Sequence, residues 1–422
     1  MNLIKKNNKN LIIMWSFVVF SAHFANAGSS FNSEDRALYL TRAVSWLGDQ
    51  PTTAEEILAG PSVKRPFAMD ETVYCKFFPR ANGGSNPKFR CHLTNEQGVY
   101  IDTDGELQPE AVSVNLETDK LLDSAGRVLG KADELKVKYY RGKSAAENTD
   151  TDPYTEVAAT RIFWALGFPS DRMYGTKEVV CFNCPANPID NTGPVAPQRV
   201  YPEAAIERKL PGKKIEPVKN YGFDFGEAWN QKTWTPEQRH QFEAMMLLST
   251  LIRQVRNAAG QNRFSCASGS IDADGVCTKS VLISQDLGAS FGGTAKILRF
   301  IRYNRKGSLR HWAREKIWGD PRTCVLGMKF RGIPVPQISE GGRKFLSNLL
   351  ADFNEVKIGA ALSAGRFHKL DPRVEAHAAK IVGKIADPAA RALAIQNEAI
   401  KIWVNVFKKK VGEINAVTCP TP

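Results

Sequence analysis

Residues 134–167 read ELKVKYYRGKSAAENTDTDPYTEVAATRIFWALG. The first seven alternate. Successive strand side chains point to opposite faces, so Leu135, Val137 and Tyr139 share one face while Lys136 and Lys138 share the other. A helix is predicted next. Asp152 suits its N-cap, Pro153 its first position and Gly167 its stop, and TEVAATRIFWAL between them carries apolar residues at helical spacing. Glu156 falls in the first turn, where a carboxylate also meets the helix dipole favourably with no function at all. A strand that spends two lysines on one face, followed by a helix with an early acid, is the arrangement on which the fold reading turns.

Upstream, TVYCKFF, PKFRCHL, GVYID, AVSVNL and RVLG are short, β-rich and separated by Gly, Asn and Asp turns. Before them, SEDRALYLTRAVSWL and TAEEIL predict two short helices joined at Pro51. Downstream come the strands KEVVCF and AAIERKL, with a Pro/Gly-rich loop expected from 185 to 202. After about Lys213 the pattern turns helical. Thr235-Pro236-Glu237-Gln238 opens a long helix with a capping box, SVLIS interrupts at Ser280, and EGGRKFLSNLLADF, PRVEAHAAKIVGKI and PAARALAIQNEAIKIWVNVFKKKVGEI close the chain. The class is α+β in two lobes: 1–27 a leader, 28–60 a helical extension, 61–212 a strand-rich N-lobe and 213–422 a helical C-lobe.

Lys5, Lys6 and Lys9, then the apolar run LIIMWSFVVF, then Ala25-Asn26-Ala27 form a secretory signal cleaved after Ala27. The run is too short and too interrupted for a spanning helix, and no later segment is long and apolar enough, so a periplasmic or extracellular protein is expected. Eight cysteines in an exported chain imply disulfides. Short loops suggest Cys75 with Cys91, Cys181 with Cys184 and Cys266 with Cys277, leaving Cys324 and Cys419 to join the tail to the body. Zinc at Cys181-Phe-Asn-Cys184 lacks histidine partners, and a redox motif there lacks a helix start. The chain has 57 basic against 44 acidic residues, a formal net charge of +13. That suits an acidic partner or plain solubility; the basic residues are scattered, which argues against nucleic acid.

Four pieces then occur in order: the loop Gly83-Gly84-Ser85-Asn86-Pro87-Lys88, the strand lysine Lys138 or Lys136, the helix acid Glu156, and far downstream Asp286-Leu287-Gly288. Together they resemble the protein-kinase-like superfamily, and more closely its atypical secreted bacterial branches; GGSNPK is similar to the phosphate loop of HipA-type kinases. The resemblance covers roughly 71 to the end. It implies a two-lobed protein-kinase-like fold with ATP and Mg²⁺ or Mn²⁺ as cofactors. By the same resemblance Lys138 pairs with the nucleotide phosphates and Glu156 holds it. Gly83, Gly84, Lys88, Lys136 and Glu207 belong to the nucleotide site, Asp286 is the metal ligand, and Glu207-Arg208-Lys209 is the hinge between lobes.

The catalytic loop departs from that pattern. Where an Asp, a Lys and an Asn are expected, this chain reads Arg256-Asn257-Ala258-Ala259-Gly260-Gln261-Asn262-Arg263. Gln261 or Asn262 can still offer a metal an amide oxygen, but no carboxylate lies between Glu243 and Asp272 to accept a proton. Two readings follow. One is a phosphoryl or nucleotidyl transferase with an unknown acceptor. The other is a pseudokinase that binds an envelope partner. A serine hydrolase using Ser290 in Gly288-Ala289-Ser290-Phe291-Gly292 lacks the strand-to-helix elbow, and the Asp272-Ala273-Asp274-Gly275 segment lacks the glutamate that closes a calcium loop. It reads instead as the tip of the 266–277 loop.

Overall fold

The computed structural model describes residues 33–48, 50, 53–62, 66–80, 86–139, 151–215, 221–298, 301–305 and 307–420, with backbone alone for 33–34, 293–298 and 301–305. The leader, Gly83 and Gly84 lie outside the described residues.

The N-terminal half is built on a nine-stranded sheet. Its centre is the Glu134–Lys138 strand, antiparallel to Lys88–Thr94 on one side and to Ala205–Arg208 on the other. The register sets Lys88 opposite Lys138, Arg90 opposite Lys136, Glu207 opposite Lys136 and Ala205 opposite Lys138. Residues paired across strands share a face, so one face is charged. The other buries Leu135, Val137, Phe89, Cys91, Leu93, Val73, Cys75 and Ile206 in a single core, each large side chain there contributing about 1.5–3 kcal/mol. The expected split between Leu135, Val137 and the two lysines is what the strand shows.

The segment 185–202 is a hairpin rather than a loop: Glu178–Asn187 pairs with Thr192–Pro202. Thr192–Pro202 is the last strand of the sheet path, where a missing N–H leaves no ladder partner waiting, so Pro194, Pro197 and Pro202 are tolerated.

The Asp152–Ala165 helix packs on Arg172–Gly175 and against the helical half, and every residue except Trp164 is buried. Its N-cap is Thr151, with Asp152 already inside the first turn. Gly167 ends it at φ +79°. Arg161, buried, lays its guanidinium 5.0 Å from the Tyr174 ring and donates to the Ala59 carbonyl. A Cβ on Gly60, at φ +93°, would collide with that guanidinium.

The C-terminal half is helical around the Pro236–Leu251 helix, which carries the expected Thr235–Gln238 capping box. It also holds a four-stranded sheet, of Ala43–Val44, Ser280–Ser284, Asn262–Ala267 and Gly212–Lys214. The first helix therefore stops at Thr41, and Ala43–Val44 runs parallel to Ser280–Ser284 instead of continuing it. One large core spans this half. All four expected disulfides are present: Cys75–Cys91, Cys181–Cys184, Cys266–Cys277 and Cys324–Cys419. Among the described residues no helix is long and apolar enough to cross a membrane. The protein is an α+β chain with a strand-rich first half and a helical second half.

Candidate functional site: an ion-pair cluster between sheet and helices

The charged sheet face meets the glutamate helix at Lys138. Its Nζ lies 2.5 Å from Glu156 Oε2 and 2.9 Å from Glu207 Oε2. Lys136 reaches the same Glu207 carboxylate at 2.7 Å and 2.9 Å. The sequence left Lys136 and Lys138 as equal candidates for the helix acid; the structure gives Glu156 to Lys138 and lets both lysines share Glu207. The side chains of Glu156 and Glu207 are each only 1% exposed.

Burial alone would lower the Lys138 ammonium, but Glu156, Glu207 and Asp286 outweigh it and raise it. Glu207 is likewise desolvated, yet two lysines hold it well below the usual carboxylate range. Burial pushes Glu156 up to about 7, with Lys138 pulling against it and Asp286 and Glu207 adding to it. Lys138 thus keeps its charge between the two carboxylates, and of these Glu156 is the one whose ionisation burial opposes more successfully. Its Oε1 is buried with no hydrogen-bond partner.

Lys88 is the cation with no ion pair or hydrogen bond among these described groups. Burial, then Lys136 and Lys138, lower its ammonium to about 8. An anion placed beside it would relieve that stored repulsion.

Across from the sheet, Asp286 follows the Ser280–Ser284 strand. Its backbone is pinned: its N–H donates to the Gln261 carbonyl at 3.1 Å, and its carbonyl accepts from Gln254 Nε2. Thr155 Oγ1 donates to the Gly288 carbonyl at 2.6 Å, tying this segment to the glutamate helix. A Cβ on Gly288 would stand 3.2 Å from the Asp152 carboxylate, so Gly288 serves close approach as well as turning. Arg256 closes the cluster: Nη1 lies 2.6 Å from Asp286 Oδ1 and Nη2 3.0 Å from Asp152 Oδ2. Burial opposes its charge, but Asp286 and Asp152 outweigh it and raise it. Asn86 also donates to Asp152.

The cluster therefore unites Lys88, Lys136, Lys138, Glu156, Glu207 and Asp286. Glu207 enters through its side chain, while the crossing to the second sheet follows it at 209–211. There Leu210 donates to Asp171 and accepts from Arg263, itself 2.8 Å from Asp171. Gln261 and Asn262 are turned to backbone: Gln261 Oε1 accepts from Ala258 N, and Asn262 Nδ2 donates to the Phe223 and Ala258 carbonyls. Asp152 and Arg256 are additions that sequence spacing did not supply.

A divalent cation bridging Asp286 and Asp152 does not fit this arrangement, since a guanidinium already spans them. Nor do three metal-ligating carboxylate, histidine or cysteine side chains converge anywhere among the described residues. Ser290 is fully buried, with its hydroxyl donated to the Leu287 carbonyl at 2.7 Å, which is no place for a nucleophile. The Asp272–Gly275 segment is the exposed tip of the Cys266–Cys277 loop.

No protein-family model matches the chain, and no curated protein matches it. Among solved structures it is similar to the crystal structure of a Helicobacter pylori proinflammatory kinase, CtkA, at 12% identity and a TM-score of 0.40, over 82% of this chain and 97% of that one.

Proposed function

We propose that this chain is an exported kinase-like protein that holds a nucleotide between the charged sheet face and Asp286, and that it binds rather than transfers. The observation that carries the reading is the Lys138–Glu156 pair at 2.5 Å, with Lys88, which has no ion pair among the described residues, opposite Lys138 on the neighbouring strand. A strand lysine held by a helix glutamate is how kinase-like folds present a cation to nucleotide phosphates, and Asp286 is near enough to act on the charge of both Lys138 and Glu156. Binding is favoured over transfer because Arg256 stands where a proton-accepting Asp belongs, and no carboxylate between Glu243 and Asp272 can replace it. The protein then acts as a pseudokinase that presents its lobes to a partner in the cell envelope. The leader and four disulfides support that compartment. A transferase reading keeps one argument, the 31% exposure of the Asp286 side chain, which leaves it accessible to a ligand.

The deciding experiment is calorimetric titration of the oxidised protein with ATP, beside Lys138→Met and Lys88→Met. Saturable binding lost in both variants supports the site. Binding unchanged in both moves the nucleotide elsewhere. Steady ATP turnover by pure protein, abolished in Lys138→Met, would replace the pseudokinase by a transferase.

A further inference from the structure

We infer that Arg256 is a built-in substitute for a divalent cation, so that this cleft takes a phosphate-bearing ligand without Mg²⁺ or Mn²⁺. The inference rests on the nucleotide reading above and specifies how that site handles charge. Phosphoryl oxygens beside carboxylates need an intervening cation; in kinase-like sites a metal bound to an Asp supplies it. Here the Arg256 guanidinium is 2.6 Å from Asp286 and 3.0 Å from Asp152, carboxylates on two separate segments. It occupies the position beside Asp286 that a metal held by that carboxylate would take.

Two further points favour the arginine over a metal in that position. A guanidinium cannot lose its proton in a protein and presents five N–H donors. Two are committed to Asp286 and Asp152, leaving others for an anion's oxygens; the side chain is 19% exposed, so an anion can reach it. A metal, by contrast, has to displace a tethered cation from both carboxylates. Mg²⁺ also gives up its water reluctantly and asks for near-octahedral oxygen geometry. Among the described residues no third acidic, histidine or cysteine ligand is arranged to help. Lys88, with no ion pair among the described residues, supplies the second positive group toward the same ligand.

The test is calorimetry of the oxidised full chain with a non-hydrolysable ATP analogue, in excess EDTA and in millimolar MgCl₂, for the natural protein, Arg256→Ala and Arg256→Lys. The natural protein is expected to bind in EDTA within about threefold of its affinity in MgCl₂. Arg256→Ala removes the guanidinium from Asp286 and Asp152 and is expected to bind about tenfold or more tightly with Mg²⁺ than without. Arg256→Lys retains a cation and stays metal-independent. Binding by the natural protein only with Mg²⁺ overturns this inference while leaving the nucleotide site standing; that comparison holds even if Arg256→Ala does not fold. An Arg256→Ala protein that binds equally in both buffers also overturns it, since the arginine would then not be standing in for a metal. Absence of binding by the natural protein in either buffer removes the nucleotide reading and this inference together.

Discussion

Arg208 and Arg256 carry the same guanidinium and are put to different uses. Arg208 closes both prongs on a single carboxylate, Asp133, at 2.6 Å each, with its guanidinium 4.9 Å from the Phe67 ring. Both partners belong to the first half of the chain, and both side chains are nearly inaccessible, at 7% and 8% exposure. Arg256 opens its prongs onto two carboxylates from different segments, one of them 31% exposed. A guanidinium closed on one buried acid is a rivet. One shared between two acids at an accessible seam is a charge held ready. Burial by itself does not separate the two cases; the number of partners and the way out to solvent do.

The comparison breaks first on stability. Arg208→Ala leaves Asp133 buried and unpaired and should cost about 3–5 kcal/mol, read as a lower urea midpoint; a loss under about 1 kcal/mol would mean the rivet is idle. Arg256→Ala should cost less, about 1.5–3 kcal/mol, because Asp286 can turn to water. An equal or larger loss than at Arg208 would erase the distinction.

Ligand binding sharpens it further. Lys88 is held down to about 8 in the free protein, and a phosphate ligand favours its charged form. Below pH 8 the charge is already there. Above pH 8 binding must draw in a proton, so affinity should fall by up to about tenfold per pH unit. Calorimetry across pH 7–10 reads this directly, and a flat profile for the natural protein would remove Lys88 from the site.

The effect confined to the narrowest pH window concerns Glu156. Its carboxyl, raised from an ordinary 4.5 to about 7, keeps in the folded state a proton that the unfolded chain has already lost. Its contribution to stability is therefore lost as pH rises from about 4.5 to 7, by about 1 kcal/mol per unit at the steepest. His368, held down to about 4, works in the opposite direction below 6.5. It is present in Glu156→Gln as well, so the difference between the two stability curves isolates Glu156. A constant difference across that window would show that Glu156 is ionised throughout.

Local pattern carried much of this. Leu135 and Val137 against Lys136 and Lys138 needed only the two-residue period of a strand, and three of the four disulfides followed from short loops, which left the fourth pair by elimination. What escaped was decided by distant partners. Ala43–Val44 reads as helix until Ser280–Ser284 offers it a ladder, and 185–202 reads as a loop until an edge position makes its prolines harmless. Asp152 was seen only as a cap, because its partner Arg256 lies 104 residues away. The helix period cannot report an ion pair that forms only when two halves of a chain meet. Glu207 was read as part of the hinge for the same reason: only the cross-strand register shows its carboxylate under two lysines.

The four cystine bridges also impose a timetable. Three of them close spans of 3, 11 and 16 residues, so each can form as soon as its own short segment has been made. The fourth joins residues 95 apart and has to wait for the whole run of late helices. There Cys419 donates its N–H to Glu340 Oε2 and Pro420 accepts from the Glu340 N–H, so hydrogen bonds hold the tail beside the bridge. Maturation thus has a last step, and a chain with three bridges closed and the fourth open is the species to look for when oxidation is interrupted.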